Sequence, residues 1–178
     1  MTKMDISEDT ITMDLILENG KLRWGDQIYA HDIGWGGIIA EKVEGDGGTP
    51  VGRFPFRRVF FRPDRLKAFE TVLPLTPITR QDGWCDDITH PDYNRHITLP
   101  HSAKHEELWR DDNLYDVILV VGHNDEPPIA GKGSAIFVHL RSPDHKPTEG
   151  CVALDLEDLL QVLSQCTLDS ALIVKVDK

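Results

Sequence analysis

The chain has 178 residues, enough for one compact domain burying about 70% of the surface of its unfolded form. Its 40% hydrophobic and 28% charged residues describe a folded protein rather than a disordered one. A net charge of −11 repels nucleic acid and anionic membrane at long range, which leaves small molecules and peptides as partners, and no apolar run approaches the roughly 20 residues of a membrane helix.

Lys3, Asp5, Glu8, Asp9 and Asp14 open the chain without the apolar stretch of a secretory signal. The odd set Cys85, Cys151 and Cys166 suits reduced thiols better than a disulfide framework. A cytoplasmic location is therefore expected, or a periplasmic one if a signal sequence has been lost. From Thr10 the residues alternate, with Ile11, Met13, Leu15 and Leu17 on one face of a predicted strand that turns at Asn19-Gly20. Leu22 to Trp24, Gln27 to Ala30 and Trp35 to Ala40 read as further short strands.

A glycine cluster, Gly45 to Gly52, precedes a strand-like run from Arg53 to Phe61. It lacks the Lys-Ser/Thr ending of a phosphate loop and no helix follows, so a shaped turn is expected rather than a nucleotide site. Residues 62–116 are rich in Pro, Asp and aromatics and only weakly periodic, the mark of an elaborated binding loop or lid. Short helices are expected over 63–69 and, behind Ser102 as a cap, over 103–109, with room for an unrecognised strand or two.

Asp116 to Gly122 and Ser134 to Leu140 are apolar strand candidates, and Pro143 to Gly150 is a polar loop. Leu156, Leu159, Leu160 and Leu163 then fall on one helix face, with Asp155 as N-cap and Asp158 as its capping-box partner. Leu168 to Val176 closes the chain as a strand. The expected fold is mainly β (β-rich α+β), one domain over 1–178, with one or two helices packed on the sheet.

Cys151, between Gly150 and Val152 and just ahead of the predicted helix, sits where backbone N–H groups and a helix dipole favour thiolate. Gly150 permits close approach of a substrate carbonyl, so the Gly150 and Cys151 N–H groups are candidate oxyanion donors. His139 ends an apolar strand twelve residues upstream and can meet Cys151 at one rim of a sheet, as a base that takes the thiol proton and later returns it. A zinc site from His123, His139, His145 and Cys151 is chemically sound, but the spacing offers no tight chelate. Arg57-Arg58 is too short for a nucleic-acid patch.

Two stretches, Ile136-Phe137-Val138-His139 and Pro147-Thr148-Glu149-Gly150-Cys151-Val152-Ala153-Leu154, resemble the His…Ser/Thr-x-Gly-Cys motif of YkuD-type L,D-transpeptidases. Gly47 to Phe54 resembles the same family's Gly…Thr-Pro-x-Gly-x-Phe segment, and the likeness covers roughly residues 45–176. The resemblance implies a cysteine that attacks the carbonyl of an L-centre, usually diaminopimelate, bonded to a terminal D-Ala of a peptidoglycan stem peptide. An amine then resolves the acyl-enzyme to a cross-link, or water resolves it as a carboxypeptidase. It implies Cys151 as nucleophile, His139 as base and acid, Gly150 shaping the oxyanion site and Thr148 bonding within the loop. No metal or cofactor is implied, and carbapenems are expected to acylate the thiol.

Departures accompany the likeness. Ala153 stands where the family's pattern has Arg, so the role of that cation is either absent or moved to Arg141 or Lys146, and Leu140 can orient the imidazole only through its carbonyl. Within the insert, Trp84, Asp86 and Tyr93 are candidate substrate contacts, as is Arg141. The expected function is an L,D-carboxypeptidase of peptidoglycan recycling. The alternatives are a cross-linking L,D-transpeptidase and a wall-peptide binding domain without activity.

Overall fold

In a computed structural model that describes residues 11–176, the N-terminal alternation becomes β1 (Leu15–Glu18), with Leu15 and Leu17 fully buried. Met13 is only half-buried and Ile11 is exposed, so the paired face is shorter than expected; the readings on residues 1–10 lie outside the described residues. Asn19 and Gly20, at φ 51° and 68°, make the left-handed turn that a two-residue hairpin needs, and β2 (Lys21–Trp24) returns antiparallel. β3 (Gln27–Tyr29) and β4 (His31–Asp32) follow. Of the strand expected over Trp35 to Ala40 only β5 (Ile38–Ile39) forms, because the glycines around Trp35 turn the chain back onto the 45–48 loop. There β5 pairs with β6 (Thr49–Pro50).

The expected strand after the glycine cluster is β7 (Gly52–Phe61). Neither helix expected in 62–116 forms. Four short strands take their place: β8 (Leu75–Pro77), β9 (Asp82–Cys85), β10 (His96–Thr98) and β11 (His105–Glu107). Ser102 caps nothing because His105–Glu107 pair across Cys85–Gly83 instead. β12 (Val117–Val121), β13 (Phe137–Leu140), β14 (Val152–Leu154), α1 (Leu156–Gln165) and β15 (Ala171–Val174) complete the chain. α1 is the only helix among the described residues, and none is long and apolar enough to cross a membrane.

The main sheet runs β3-β2-β1-β15-β7-β12-β13-β14-β4, with β8 also on β7. β7 is its hinge strand: Gly52 to Pro55 pair with β15, and Phe56 to Phe61 pair with β12. β12 is buried along its whole length and feeds two cores. Val117, Leu119 and Val121 join the one closed by Leu159, Val162 and Leu163 of α1, while Ile118 and Val120 face Phe60, Trp84, Tyr115, Phe137 and Cys151. The stripe on α1 is therefore buried through Val162 in place of Leu160. Asp155 stands at the N-cap but makes no capping bond; its carboxylate lies 3.5 Å from Arg141 instead. The small sheet β10-β9-β11 roofs the second core, where Trp84 meets Phe137 edge-on at 5.1 Å.

Candidate functional site

β13 and β14 are parallel neighbours with His139 opposite Ala153. Alternation then puts Phe137, His139, Cys151 and Ala153 on one face of the sheet. That face, with the insert above it, bounds a cavity of about 620 Å³ lined by His139, Cys151 and Ala153 from below and by Asp86, Glu106 and Arg110 from the roof. The topology thus delivers the thiol and the imidazole to the same chamber. The Ala153 methyl, opposite His139, leaves that space open.

Cys151 does not sit at a helix terminus. Val152–Leu154 pairs with β13 and β4, so a strand separates the thiol from α1, and the expected dipole assistance is absent. The thiol is buried, donates to Ala135 O at 3.1 Å and accepts from Phe137 N–H at 3.3 Å. Burial pushes its pKa up to about 12, against the partial relief of the Phe137 N–H. His139 is also buried; its Nδ1 lies 2.8 Å from Leu140 O, which fixes the tautomer with the proton on Nδ1 and the lone pair on Nε2. Burial lowers its pKa to about 4. At neutral pH the pair is therefore thiol and neutral imidazole, and no hydrogen bond joins the two among the described residues.

The loop before Cys151 is held from three sides. Thr148 Oγ1 donates to Cys151 O at 2.6 Å and accepts the Gly150 N–H at 3.1 Å. The Gly150 N–H, one of the two expected oxyanion donors, is thereby engaged by Thr148 within the loop. Gly150 keeps a shaping role at φ 127°, where a Cβ would lie 2.8 Å from Gly48 O. Thr49 Oγ1, fully buried, accepts from Gly34 N–H and donates to Gly150 O at 2.9 Å. The glycine cluster is thus the bed on which the cysteine loop rests.

Of the other residues singled out by sequence, Asp86 lines the cavity; its Oδ1 is shielded and has no partner among the described residues. Trp84, Tyr93 and Arg141 do not line it. Arg141 is spent on Asp32, at 2.9 and 3.3 Å, and on Asp155. Trp84 and Tyr93 stand behind the cavity wall. The Trp84 indole donates to Asn94 Oδ1 at 2.9 Å, and the Tyr93 hydroxyl accepts the Gly133 N–H while donating to Glu44.

Asn94 is the hub of that wall. Its Oδ1 also accepts the Ala135 N–H at 3.0 Å, and its amide donates to His123 O and Asn124 O. These bonds hold Ala135 at φ 54°, a conformation that costs a side-chain-bearing residue, and so aim the Ala135 carbonyl at the thiol. Asn94→Ala is expected to lower stability by about 3 kcal/mol or more, since it strands two buried donors and two carbonyls. Urea unfolding measures this, and a loss under about 1 kcal/mol would contradict the hub.

Sequence reasoning missed Tyr115, Glu106 and Arg110. The Tyr115 ring packs edge-on against His139 at 5.3 Å, and its hydroxyl donates to Glu106 Oε2 at 3.0 Å. Burial, with Asp86 and Glu44 near, raises the Glu106 pKa. Nothing in local spacing marks these residues, because only the folded insert brings them to the cavity. His123, His139, His145 and Cys151 do not form a metal cluster among the described residues. His90, Asp92 and His101 do approach one another outside the cavity, but both imidazole Nδ1 atoms accept backbone N–H groups, from Asp92 and Ala103.

A mainly β domain that brings a buried cysteine and histidine from adjacent parallel strands to one cavity holds the groups that cysteine acyl transfer requires. The chain belongs to the YkuD family, the L,D-transpeptidase catalytic domain, whose match spans residues 4–176. Two solved structures are similar, the helical cell shape determining protein Pgp2 from Campylobacter jejuni and a single-residue variant of it. Each is 18% identical, with TM-scores of 0.42 and 0.43, covering 94% and 96% of this chain. The chain spans about half the length of those proteins, 48% and 49%. A search of the curated proteins found no match.

Proposed function

We propose that the chain is a cysteine-dependent L,D-carboxypeptidase that removes D-Ala from diaminopimelate in peptidoglycan tetrapeptides. The observation that carries the reading is the shared face of His139 and Cys151 on β13 and β14, open to a single cavity. His139 Nε2 takes the Sγ proton as the sulfur attacks the L-centre carbonyl. The Cys151 N–H faces the oxyanion. Collapse expels the D-Ala amine, which receives the proton from His139. Water then attacks the thioester, loses its proton to His139 and releases the tripeptide, and the proton returns to Sγ.

Hydrolysis as the second step is supported by the cavity's lining, where charged side chains such as Glu106, Asp112 and Glu149 keep water at hand. A depression of about 420 Å³ lined by Arg80, Trp109 and Asp111 adjoins it through Glu106, Arg110 and Asp112. That neighbour has room for an amine acceptor, so the cross-linking reading is the competing one. Three free, buried cysteines accompany the proposal of a reducing, cytoplasmic setting, which cell fractionation tests.

Product masses separate the readings. A tetrapeptide ending in D-Ala is expected to give tripeptide and free D-Ala even with excess D-amino acid or a second stem peptide present. Dominant dimer or exchanged product would make the protein a transpeptidase. A carbapenem is expected to add one drug mass at Cys151. Folded protein that neither hydrolyses, exchanges nor takes the drug would be a binding domain.

A further inference from the structure

Arg110 is the only arginine among the cavity's described lining residues, and its guanidinium is both anchored and under-used. Nε and Nη2 donate side-on to Asp112 at 2.8 and 2.6 Å, and Asp112 is itself fixed by the Leu114 N–H. The guanidinium carbon lies 5.2 Å from the centre of the Tyr115 ring, the same ring that abuts His139. Five N–H groups minus two leaves three with no partner among the described residues. The other lining cations differ. Lys42 is buried against Asp46 and Val43 O, while Lys104 and Lys146 are largely exposed and paired with Asp86 and Asp144.

A pre-set planar fork with spare donors, one ring away from the imidazole, suits a carboxylate held in two-point fashion. We propose that Arg110 is the specificity-determining residue of this cavity, binding the free C-terminal carboxylate of the peptide and so restricting the enzyme to chain ends. The inference rests on the carboxypeptidase reading for the choice of ligand, but on the cavity alone for the binding contact. Asp112 and the nearby Glu106 oppose the incoming charge, but both Asp112 oxygens are turned to Arg110 and the Leu114 N–H, and burial biases the Glu106 carboxyl toward its neutral form. His139, neutral at pH 7, adds no charge of its own.

The test compares a D-Ala-terminated tetrapeptide with its C-terminal carboxamide. The native protein is expected to favour the free acid by about 10- to 100-fold in kcat/KM, the range for one charge-assisted contact. Arg110→Ala should erase that preference, raising KM for the acid while changing the amide little. Arg110→Lys should restore part of it as a point charge. Binding of both peptides to Cys151→Ala protein, with and without Arg110→Ala, gives the same comparison by calorimetry without turnover. An acid preference that survives Arg110→Ala in folded protein overturns the proposal, whether or not Cys151 proves to be the nucleophile. Loss of turnover with the binding preference intact and Arg110-dependent would sink the carboxypeptidase reading and leave this contact standing.

Discussion

Cys151→Ala is expected to abolish release of D-Ala, to below about 10⁻⁴ of the native rate, with the fold retained. Among the described residues the sulfur is hydrogen-bonded only to Ala135 O and the Phe137 N–H, and alanine at a residue that is the first of a strand-bound segment keeps the backbone bond from Thr148. Cys85→Ala and Cys166→Ala should keep most activity, as both thiols lie outside the cavity lining. Because the resting thiol titrates at about 12, alkylation of free protein by iodoacetamide should be slow at pH 7 and rise about tenfold per pH unit above it. Turnover by Cys151→Ala would remove the nucleophile assignment; fast alkylation at pH 7 would show the thiol to be ionised at rest.

His139→Gln should lower kcat by about 10² to 10⁴, the usual loss for an acid–base group. The same residue has a stability signature that a purely catalytic reading lacks. Its folded pKa, about 4, is below the ordinary value of 6.5, so between those pH values the unfolded chain binds a proton that the folded chain refuses. Stability from this site is complete above pH 6.5 and is lost as pH falls through 4, by about 3 kcal/mol in all. Denaturant unfolding of the native protein and His139→Gln across pH 7 to 4 should show that slope in the first and not in the second. Parallel slopes with unchanged kcat would leave His139 as a packing residue.

What could be read from sequence was local. Cys151, His139 and the glycine segment announce themselves because each motif lies within a few residues, and the fold explains the second motif: Thr49 and Gly48 support the cysteine loop. The helix-dipole argument failed because β-branched Val152 and its neighbours found a partner in β13 before the helix could begin. The insert was opaque since strands of three or four residues show no period, and the helix expected over 103–109 competed with an unseen pairing to Asp82–Cys85. Asn94 matters mainly through bonds to residues 29 to 41 positions away, and Arg110, whose own partners Asp112 and Tyr115 are local, matters because the fold turns it toward the cavity of His139 and Cys151, which no spacing rule encodes.

The chamber is built from two walls that come from separate stretches of the chain. Its floor, β13 and β14, holds the groups proposed to break the bond, and its roof, the excursion from β9 to Asp112, holds the groups proposed to choose the ligand. The two touch mainly through side chains, such as Trp84 on Phe137 and Tyr115 between His139 and Glu106. Apart from Asn94, which braces Ala135 beside the thiol, the roof can therefore change while the floor stays fixed. A change in the roof would alter which ligand fits without altering the groups proposed to react, so a compound aimed at the roof would be the selective one where one aimed at the thiol would not.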